Sequence, residues 1–236
     1  MDRKKIFISI AVYNEKENIK DLVEKIFFLG VENLNLVIID DNSPDGTGEI
    51  LDELAFKYPI IAIHRKGKLG YGSAHIVGFK KAIEAGASMV ITMDADFSHH
   101  PMVILEMIRA LEDGFEIVVG SRRIQGGKII GWNWWREFCS AGAMQFSRLI
   151  LGLKTKDVTS GFRAYQVRVI KQLSLDKITS NGYSFLEEIL FLCEKQKFKI
   201  KEIPITFLDR KKGKSKLSSG EIINFFITIL RLKINR

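Results

Sequence analysis

The sequence lacks most of the features that would assign it to a class at a glance. Its only two cysteines, Cys139 and Cys193, lie far apart and without C-x-x-C spacing. That excludes a disulfide framework and a cysteine-built zinc site, and it fits a reducing compartment. No G-x-x-x-x-G-K-[S/T] phosphate loop and no strand-linked G-x-G-x-x-G occurs, which removes the P-loop ATPase and dinucleotide-dehydrogenase readings. Internal repeats, low-complexity tracts and an obvious linker are also missing. The opening Met1-Asp2-Arg3-Lys4-Lys5 leads into an apolar run that Asn14 and Glu15 soon end. That is unlike a signal peptide, and a cytoplasmic location is expected. Near the C-terminus the uncharged stretch Ile222 to Leu230 is nine residues long, against the roughly 20 that a membrane span needs.

What is present suits one globular domain. Of 236 residues, 46% are hydrophobic, 27% charged and 10% aromatic, enough apolar material for a core and too much for a disordered chain. The formal net charge is +8 and the pI near 9.4, a surplus that attracts nucleic acid, an anionic membrane face or phosphorylated small molecules. Arg210, Lys211, Lys212, Lys214 and Lys216 fall within seven residues, which alone would read as a solvated basic loop. The segment after it, Leu217 to Arg236, reads as a helix rich in large apolar residues. It either packs on the domain or lies in a membrane interface with its basic neighbours at the headgroups.

The first two thirds alternate between strand and helix signals. Strands are predicted at Ile6–Val12, Leu36–Ile39, Ile60–His64, Ser88–Met93 and Glu116–Val119. Helices are predicted at Glu15–Phe28, Thr47–Lys57, Tyr71–Ala85 and Pro101–Glu112. Repeated β-α units of this length imply a largely parallel sheet with helices on both faces. The last third adds helices near Glu137–Leu151 and Tyr183–Lys195 and a strand at Lys199–Leu208.

In such a sheet, ligands bind beyond the carboxyl ends of the strands. Three polar clusters fall there: Tyr13-Asn14-Glu15, Asp40-Asp41-Asn42-Ser43 and Asp94-Ala95-Asp96. One D-x-D is weak, because two acids in a loop are usually just solvated; three clusters at one edge are less easily coincidence. Carboxylates one residue apart are hard oxygen ligands that suit Mg²⁺ or Mn²⁺ together with substrate phosphate. That points to a nucleotide diphosphate, with Asp41 and the backbone near Tyr13 placed for a base or ribose. Gly70-Tyr71-Gly72 either approaches phosphate or simply permits a tight turn. His99 and His100, before Pro101, read as loop or capping residues, since neutral imidazoles suit zinc more than Mg²⁺.

The order Val12-Tyr13-Asn14-Glu15, Asp40 to Thr47, then Asp94 to Pro101 resembles the family-2 glycosyltransferases, and within them the dolichol-phosphate (polyprenol-phosphate) mannose synthases. The resemblance continues through Gly120-Ser121-Arg122, Gly131-Trp132, Arg136, Thr159 to Arg163, Glu202 to Ile205, Phe207 to Arg210 and Gly213 to Leu217, so it covers nearly the whole chain. It implies an α/β GT-A (Rossmann-like) fold with C-terminal interface helices. Residues 1–217 would form the catalytic domain and 218–236 an amphipathic helix for membrane-surface contact. It further implies inverting transfer of mannose from GDP-mannose to a polyprenyl phosphate, with Mg²⁺ or Mn²⁺, at the cytoplasmic face of a membrane. By motif position Ala11, Tyr13, Glu15, Ile39, Asp41, Asp94, Ala95, Asp96, Arg210 and Lys216 would bind the nucleotide sugar, and Arg122 and Arg136 the acceptor phosphate. Asp94 and Asp96 would meet the metal, Asp96 acting with the two arginines in catalysis. Ser98 stands where some relatives carry a metal-contacting glutamine, so the aspartates, phosphates and water are expected to hold the ion without it. Ala11 replaces a proline common among relatives.

Alternatives stay open at this level. A UDP-sugar could supply glucose or N-acetylglucosamine to the same lipid phosphate. A saccharide or protein hydroxyl acceptor would require a carboxylate base in place of the arginine pair. A basic nucleic-acid-binding protein would explain the charge, but not acidic clusters at three strand ends. The arginines could form surface ion pairs, Glu188 could orient them or merely sit on a helix face, and Trp132, Trp134 and Trp135 could meet the bilayer interface or pack in the core. Membrane attachment would come from the C-terminal helix or from a membrane-anchored partner subunit.

Overall fold

The computed structural model describes residues 4–209 and 219–234, without the side chains of 219–223. Its centre is a seven-stranded sheet: β1 (Ile6–Val12), β2 (Leu34–Asp40), β3 (Ile60–His64), β4 (Met89–Thr92), β5 (Ile117–Ser121), β7 (Arg163–Gln166) and β8 (Ile200–Pro204). Short strands β6 (Lys128–Ile130) and β9 (Thr206–Leu208) pair parallel in a small second sheet. The helices are α1 (Ile19–Phe27), α2 (Thr47–Ala55), α3 (Tyr71–Glu84), α4 (Val103–Glu112), α5 (Trp134–Leu151), α6 (Val167–Gln172), α7 (Phe185–Lys195) and α8 (Ser219–Ile234).

The period-two pattern of the strands sorts their side chains between two cores. From β1, Ile6, Ile8, Ile10 and Val12 enter one core and Phe7 the other. From β2, Leu34, Leu36 and Ile38 go to the first and Val37 and Ile39 to the second. Helices α1, α2 and α4 cover the first face, and α3, α5, α6 and α7 the second, which also takes Ile229 of α8. Both faces are therefore apolar, which is why these strands read as continuous β-branched runs. Helix α3 lies close on β1 because Gly78 has no side chain: a Cβ there would stand 2.2 Å from Ser9 Oγ.

The sheet order is β3-β2-β1-β4-β7-β5-β8. Strands β1 to β4 run parallel, and the chain reverses its direction of travel across the sheet between β1 and β4. That is the switch point where an open α/β sheet leaves a crevice. Strand β7 is antiparallel to both neighbours, β4 and β5. Its amino end therefore arrives at the edge where β4 and β5 finish, carrying residues 157–162 with it.

Three differences from the sequence expectation have local causes. The segment 199–208 is two strands, because after Pro204 the chain leaves β5 and pairs with β6. Helix α1 begins at Ile19, four residues after Glu15, whose amide is held by Thr47 Oγ1 at 3.0 Å outside the helix. Helix α5 starts at Trp134, capped by Asn133, which accepts from the Arg136 amide at 2.8 Å.

Candidate active site

The carboxyl ends of β1, β2 and β4 form one edge, and the three polar clusters stand along it. After β1, Asn14 takes a left-handed turn (φ 56°), and Glu15 is buried with one oxygen accepting from Asn18 at 2.9 Å. The Tyr13 ring has the Lys68 ammonium 5.1 Å from its centroid. After β2, Asp40 accepts from the Ser43 amide, and Asp45 caps Thr47 through its amide and hydroxyl. Those bonds outweigh the effect of burial and hold the Asp45 carboxyl below its ordinary range.

Asp41 is ion-paired with Arg65, whose guanidinium also donates to Ser73 Oγ at 2.7 Å and to the Gly70 carbonyl at 3.1 Å. A base or ribose meeting Asp41 would therefore meet Arg65 as well. Arg65 was not singled out from sequence, although it follows β3 directly and so stands at the same edge. The Ile39 side chain points away from the edge, fully buried towards α3, and Ala95 is buried in the opposite core. Ile39 and Ala95 can line a nucleotide pocket only with their backbones. Ala11 is partly buried and in register with Ile39.

The acidic loop after β4 is anchored from several sides. The Tyr71 hydroxyl donates to Asp94 Oδ1 at 3.2 Å, and the Ser98 amide donates to Asp96 Oδ1 at 3.1 Å. Phe97 takes a left-handed conformation (φ 59°), and Ser98 is almost wholly buried with its hydroxyl unpartnered. From β9, the Leu208 amide donates to the Ser98 carbonyl. Opposite, Gly161 leaves room: a Cβ there would stand 2.5 Å from the Tyr71 hydroxyl oxygen and 3.5 Å from Asp94 Oδ1. Burial and the charge of Asp94 hold the Tyr71 phenol well above its usual range, so it serves as a donor.

His99 is buried behind the acidic loop, where its Nδ1 accepts from the Asp94 amide at 3.4 Å. Its ring stacks on Phe162 (4.8 Å, 19°), edge-on to Phe207, and burial lowers its pKa so that the imidazole stays neutral. His100 caps the next turn, accepting from the Met102 amide. The Gly72 amide is spent on the Asn181 carbonyl at 2.7 Å, and a Cβ at Gly72 would meet Phe185 and Ser180. That favours packing over a phosphate cradle for this glycine pair.

Beside the acidic loop, Trp132 gathers the two arginines. The Arg136 guanidinium lies 4.3 Å and that of Arg122 5.8 Å from its ring, and Arg122 also stands 5.1 Å from Phe207. Arg136 pairs with Asp209 at 2.9 Å. Arg122 is fixed far more firmly. Its amide, Nε and Nη2 all donate to Asp157, at 2.8, 2.8 and 2.7 Å, and Nη2 also donates to Thr159 Oγ1 at 2.7 Å. Burial alone would raise the fully buried Asp157, but these bonds and the Arg122 charge win and hold its carboxyl low. Neither Asp157 nor Thr159 had been assigned a role from sequence, since only the antiparallel direction of β7 brings them here.

The carboxylates of α7 do not reach the arginine pair. Glu188 accepts from the Thr179 amide and hydroxyl and the Ser180 amide, so it pins that loop rather than orienting Arg122 or Arg136. Glu187 is buried, and burial pushes its pKa up to about 8. Arg163, fully buried, donates to the carbonyls of Leu186 and Val158 at 2.7 Å each. Arg210 and Lys216 lie outside the described residues.

Asp94 and Asp96 fit a hard divalent cation in kind. Among the described residues no group of three or more acidic, histidine or cysteine side chains could hold one unaided. Substrate phosphate or water oxygens would therefore complete the set, as Mg²⁺ commonly requires.

Comparison with known proteins places these features. The family profile described as "Glycosyl transferase family 2" matches residues 7–174. A polyprenol monophosphomannose synthase of Mycolicibacterium smegmatis is 35% identical over 221 residues, 93% of this chain and 83% of that protein. An undecaprenyl-phosphate mannosyltransferase of Micrococcus luteus is 34% identical over 228 residues, 96% of this chain and 93% of that protein. A dolichol-phosphate mannosyltransferase of Pyrococcus furiosus is 39% identical over 97% of this chain, which spans 63% of it. Among solved structures, glucosyl-3-phosphoglycerate synthase from Mycobacterium tuberculosis, in complex with Mn²⁺, UDP and phosphoglyceric acid, aligns with TM-score 0.68 at 17% identity. The alignment covers 98% of this chain and 78% of that one.

Proposed function

The chain belongs to glycosyl transferase family 2, a hexosyltransferase on the GT-A fold, and on that premise we propose that it transfers mannose from GDP-mannose to a polyprenyl phosphate with inversion. The observation that carries this reading is the pair of guanidinium groups that both lie against the Trp132 ring, next to the acidic loop. An acceptor phosphate monoester has a second pKa of about 6, so its oxygen is already anionic at pH 7 and needs no strong general base. What it needs is charge neutralisation beside a second, diphosphate-bearing anion. Arg136, and Arg122 through its Nη1 because Asp157 and Thr159 take its Nε and Nη2, would supply that charge.

The carboxylates support the same choice of acceptor. A sugar hydroxyl would call for a base, yet Glu188 is occupied by a loop backbone and Asp157 by Arg122. Asp94 and Asp96 would hold Mg²⁺ or Mn²⁺, which when bound supplies positive charge to the departing diphosphate. Tyr71 keeps Asp94 oriented towards that position, and Tyr13, Glu15 and the Asp41–Arg65 pair flank the nucleoside end. In this reading Arg210 and Lys216, outside the described residues, would bind the nucleotide sugar.

The acceptor's lipid tail fits the exposed apolar surface beside Arg136. On the first turns of α5, Trp134 is 75% and Phe138 66% exposed, and α8 exposes Phe226, Leu230 and Ile234. Indoles favour the headgroup level of a bilayer. Among the described residues no helix is long and apolar enough to cross a membrane. In this reading the enzyme acts peripherally at the cytoplasmic face: Ile229 of α8 packs in the core, and the exposed Phe226, Leu230 and Ile234 would meet lipid.

The test is transfer of radiolabel from GDP-mannose into organic-phase polyprenyl phosphate, with Mn²⁺ and with EDTA. Metal-dependent label in the lipid is the expected result. Label only from UDP-glucose or UDP-N-acetylglucosamine would overturn the mannose assignment, and no lipid product from any donor would overturn the acceptor. Near-normal turnover by Arg122→Ala would remove that residue from the reaction.

A further inference from the structure

A cavity of about 470 Å³ is lined by residues 68–70, residues of the 179–184 segment and one face of α8. We propose that it binds the phosphate headgroup of an anionic phospholipid. This does not depend on the transferase reading, and it concerns a lipid other than the acceptor.

The chemistry of the lining points to an anion. Lys68 and Arg231 are its charged members, and no aspartate or glutamate stands among the described lining residues. Among the described residues, these two cations meet neutral groups. Arg231 donates to Thr179 Oγ1 at 2.6 Å, and Lys68 lies over the Tyr13 ring. Glu188, which holds the 179–180 loop, has both oxygens taken by that loop. Asn224 adds an amide donor. Ser180, 4% exposed, is a further polar lining residue, and its buried hydroxyl has no partner among the described residues.

The rim selects a lipid over a free anion. Leu69 and Ile227 also line the cavity, and they are 58% and 56% exposed. From Ile227 the exposed apolar face of α8 continues through Leu230 to Ile234. A charged floor with an apolar lip matches a headgroup whose acyl chains leave along α8. It also sets the depth at which α8 lies against a bilayer, because Arg231 and Asn224 would then stand at phosphate level.

The probes are monomeric dihexanoyl phosphatidylglycerol, dihexanoyl phosphatidylcholine and inorganic phosphate, titrated into the ¹⁵N-labelled protein. The readout is the amide shifts of Thr179, Ser180 and Asn224. Saturable shifts with phosphatidylglycerol, several-fold tighter than with phosphate, are expected. Asn224→Asp, which adds a carboxylate to the cavity at almost no change in size, and Arg231→Gln should each weaken that binding about tenfold. Phosphate binding as tightly as the lipid would overturn the lipid source. Equal binding of phosphatidylcholine would overturn the headgroup charge. Unchanged affinity in a folded Asn224→Asp protein, or shifts that never saturate, would overturn the site itself.

Discussion

Replacing Asp157 with asparagine tests the central electrostatic claim. The side chain has no exposure, and it receives the amide, Nε and Nη2 of Arg122. An asparagine can still accept, but its NH₂ faces guanidinium N–H groups and the Arg122 charge is left without its partner. Removing one member of a buried pair costs roughly 3–5 kcal/mol. For a domain of this size that lowers the melting temperature by about 6–20 °C. Arg122 would also lose its fixed direction, and misplacement of such a group by about 1 Å can cost about 10²-fold in turnover. The decisive comparison is Arg122→Gln with Asp157→Asn, followed by thermal melting and by single-turnover transfer. Because most of the penalty is the stranded cation, the double variant should melt well above Asp157→Asn while remaining inactive. The pH dependence carries the same sign. A carboxyl held low contributes stability above its unfolded pKa of 3.8, and that is lost as pH falls through the lower folded value. The wild type should therefore lose its advantage over the double variant only in strong acid. Additive destabilisation in the double variant, or an Asp157→Asn protein with normal melting and turnover, would refute the argument.

Glu187, pushed up to about 8 from 4.5 by burial, holds a proton that the unfolded chain gives up, so its contribution to stability falls as pH rises between those values. At up to about 1.4 kcal/mol per pH unit, the melting point of Glu187→Gln should gain on the wild type from pH 6 to 8.5; a pH-independent gap would count against it. Gly161→Ala should displace the Tyr71 hydroxyl, which would stand 2.5 Å from the new Cβ, and lower kcat by about tenfold with little change in circular dichroism. Tyr71→Phe, losing one hydrogen bond to Asp94, should cost about fivefold in kcat/KM for the sugar donor, read from initial rates. Trp134→Ser with Phe138→Ser should reduce sedimentation with neutral vesicles while leaving transfer to a short-chain acceptor in detergent near normal.

Some of this was readable from residue pattern because local and global preferences agree. The run Ile6–Val12 is β1 to the residue, since every second side chain enters one core and the alternate ones the other. The three polar clusters had to stand at one edge once β1, β2 and β4 were parallel. Strand β7 gave no such signal. Its Arg163-Ala164-Tyr165-Gln166 contains an arginine that is nonetheless fully buried, because carbonyls of residues 158 and 186 satisfy it. Those partners are remote in sequence, and no periodicity encodes them. Strand β6, three residues long and partly exposed, falls below what alternation can distinguish from a loop.

The same distinction separates the tryptophans, which form one cluster in sequence and two environments in space. Trp134 and Trp135 sit on the exposed surface of α5, while Trp132, just before the Asn133 cap, is partly buried with Arg122 and Arg136 against its ring. A helix cap separates exposed indoles from one that meets two cations. Two arginines against one ring would repel each other, and the surroundings offset it with Asp157 on one and Asp209 on the other. The neighbouring His99 is kept neutral by burial, so it adds no third positive charge. The site is thus cationic at two fixed points and anionic at Asp94 and Asp96, with aromatic rings dividing them. That arrangement suits two phosphate-bearing substrates brought together without their charges meeting unscreened.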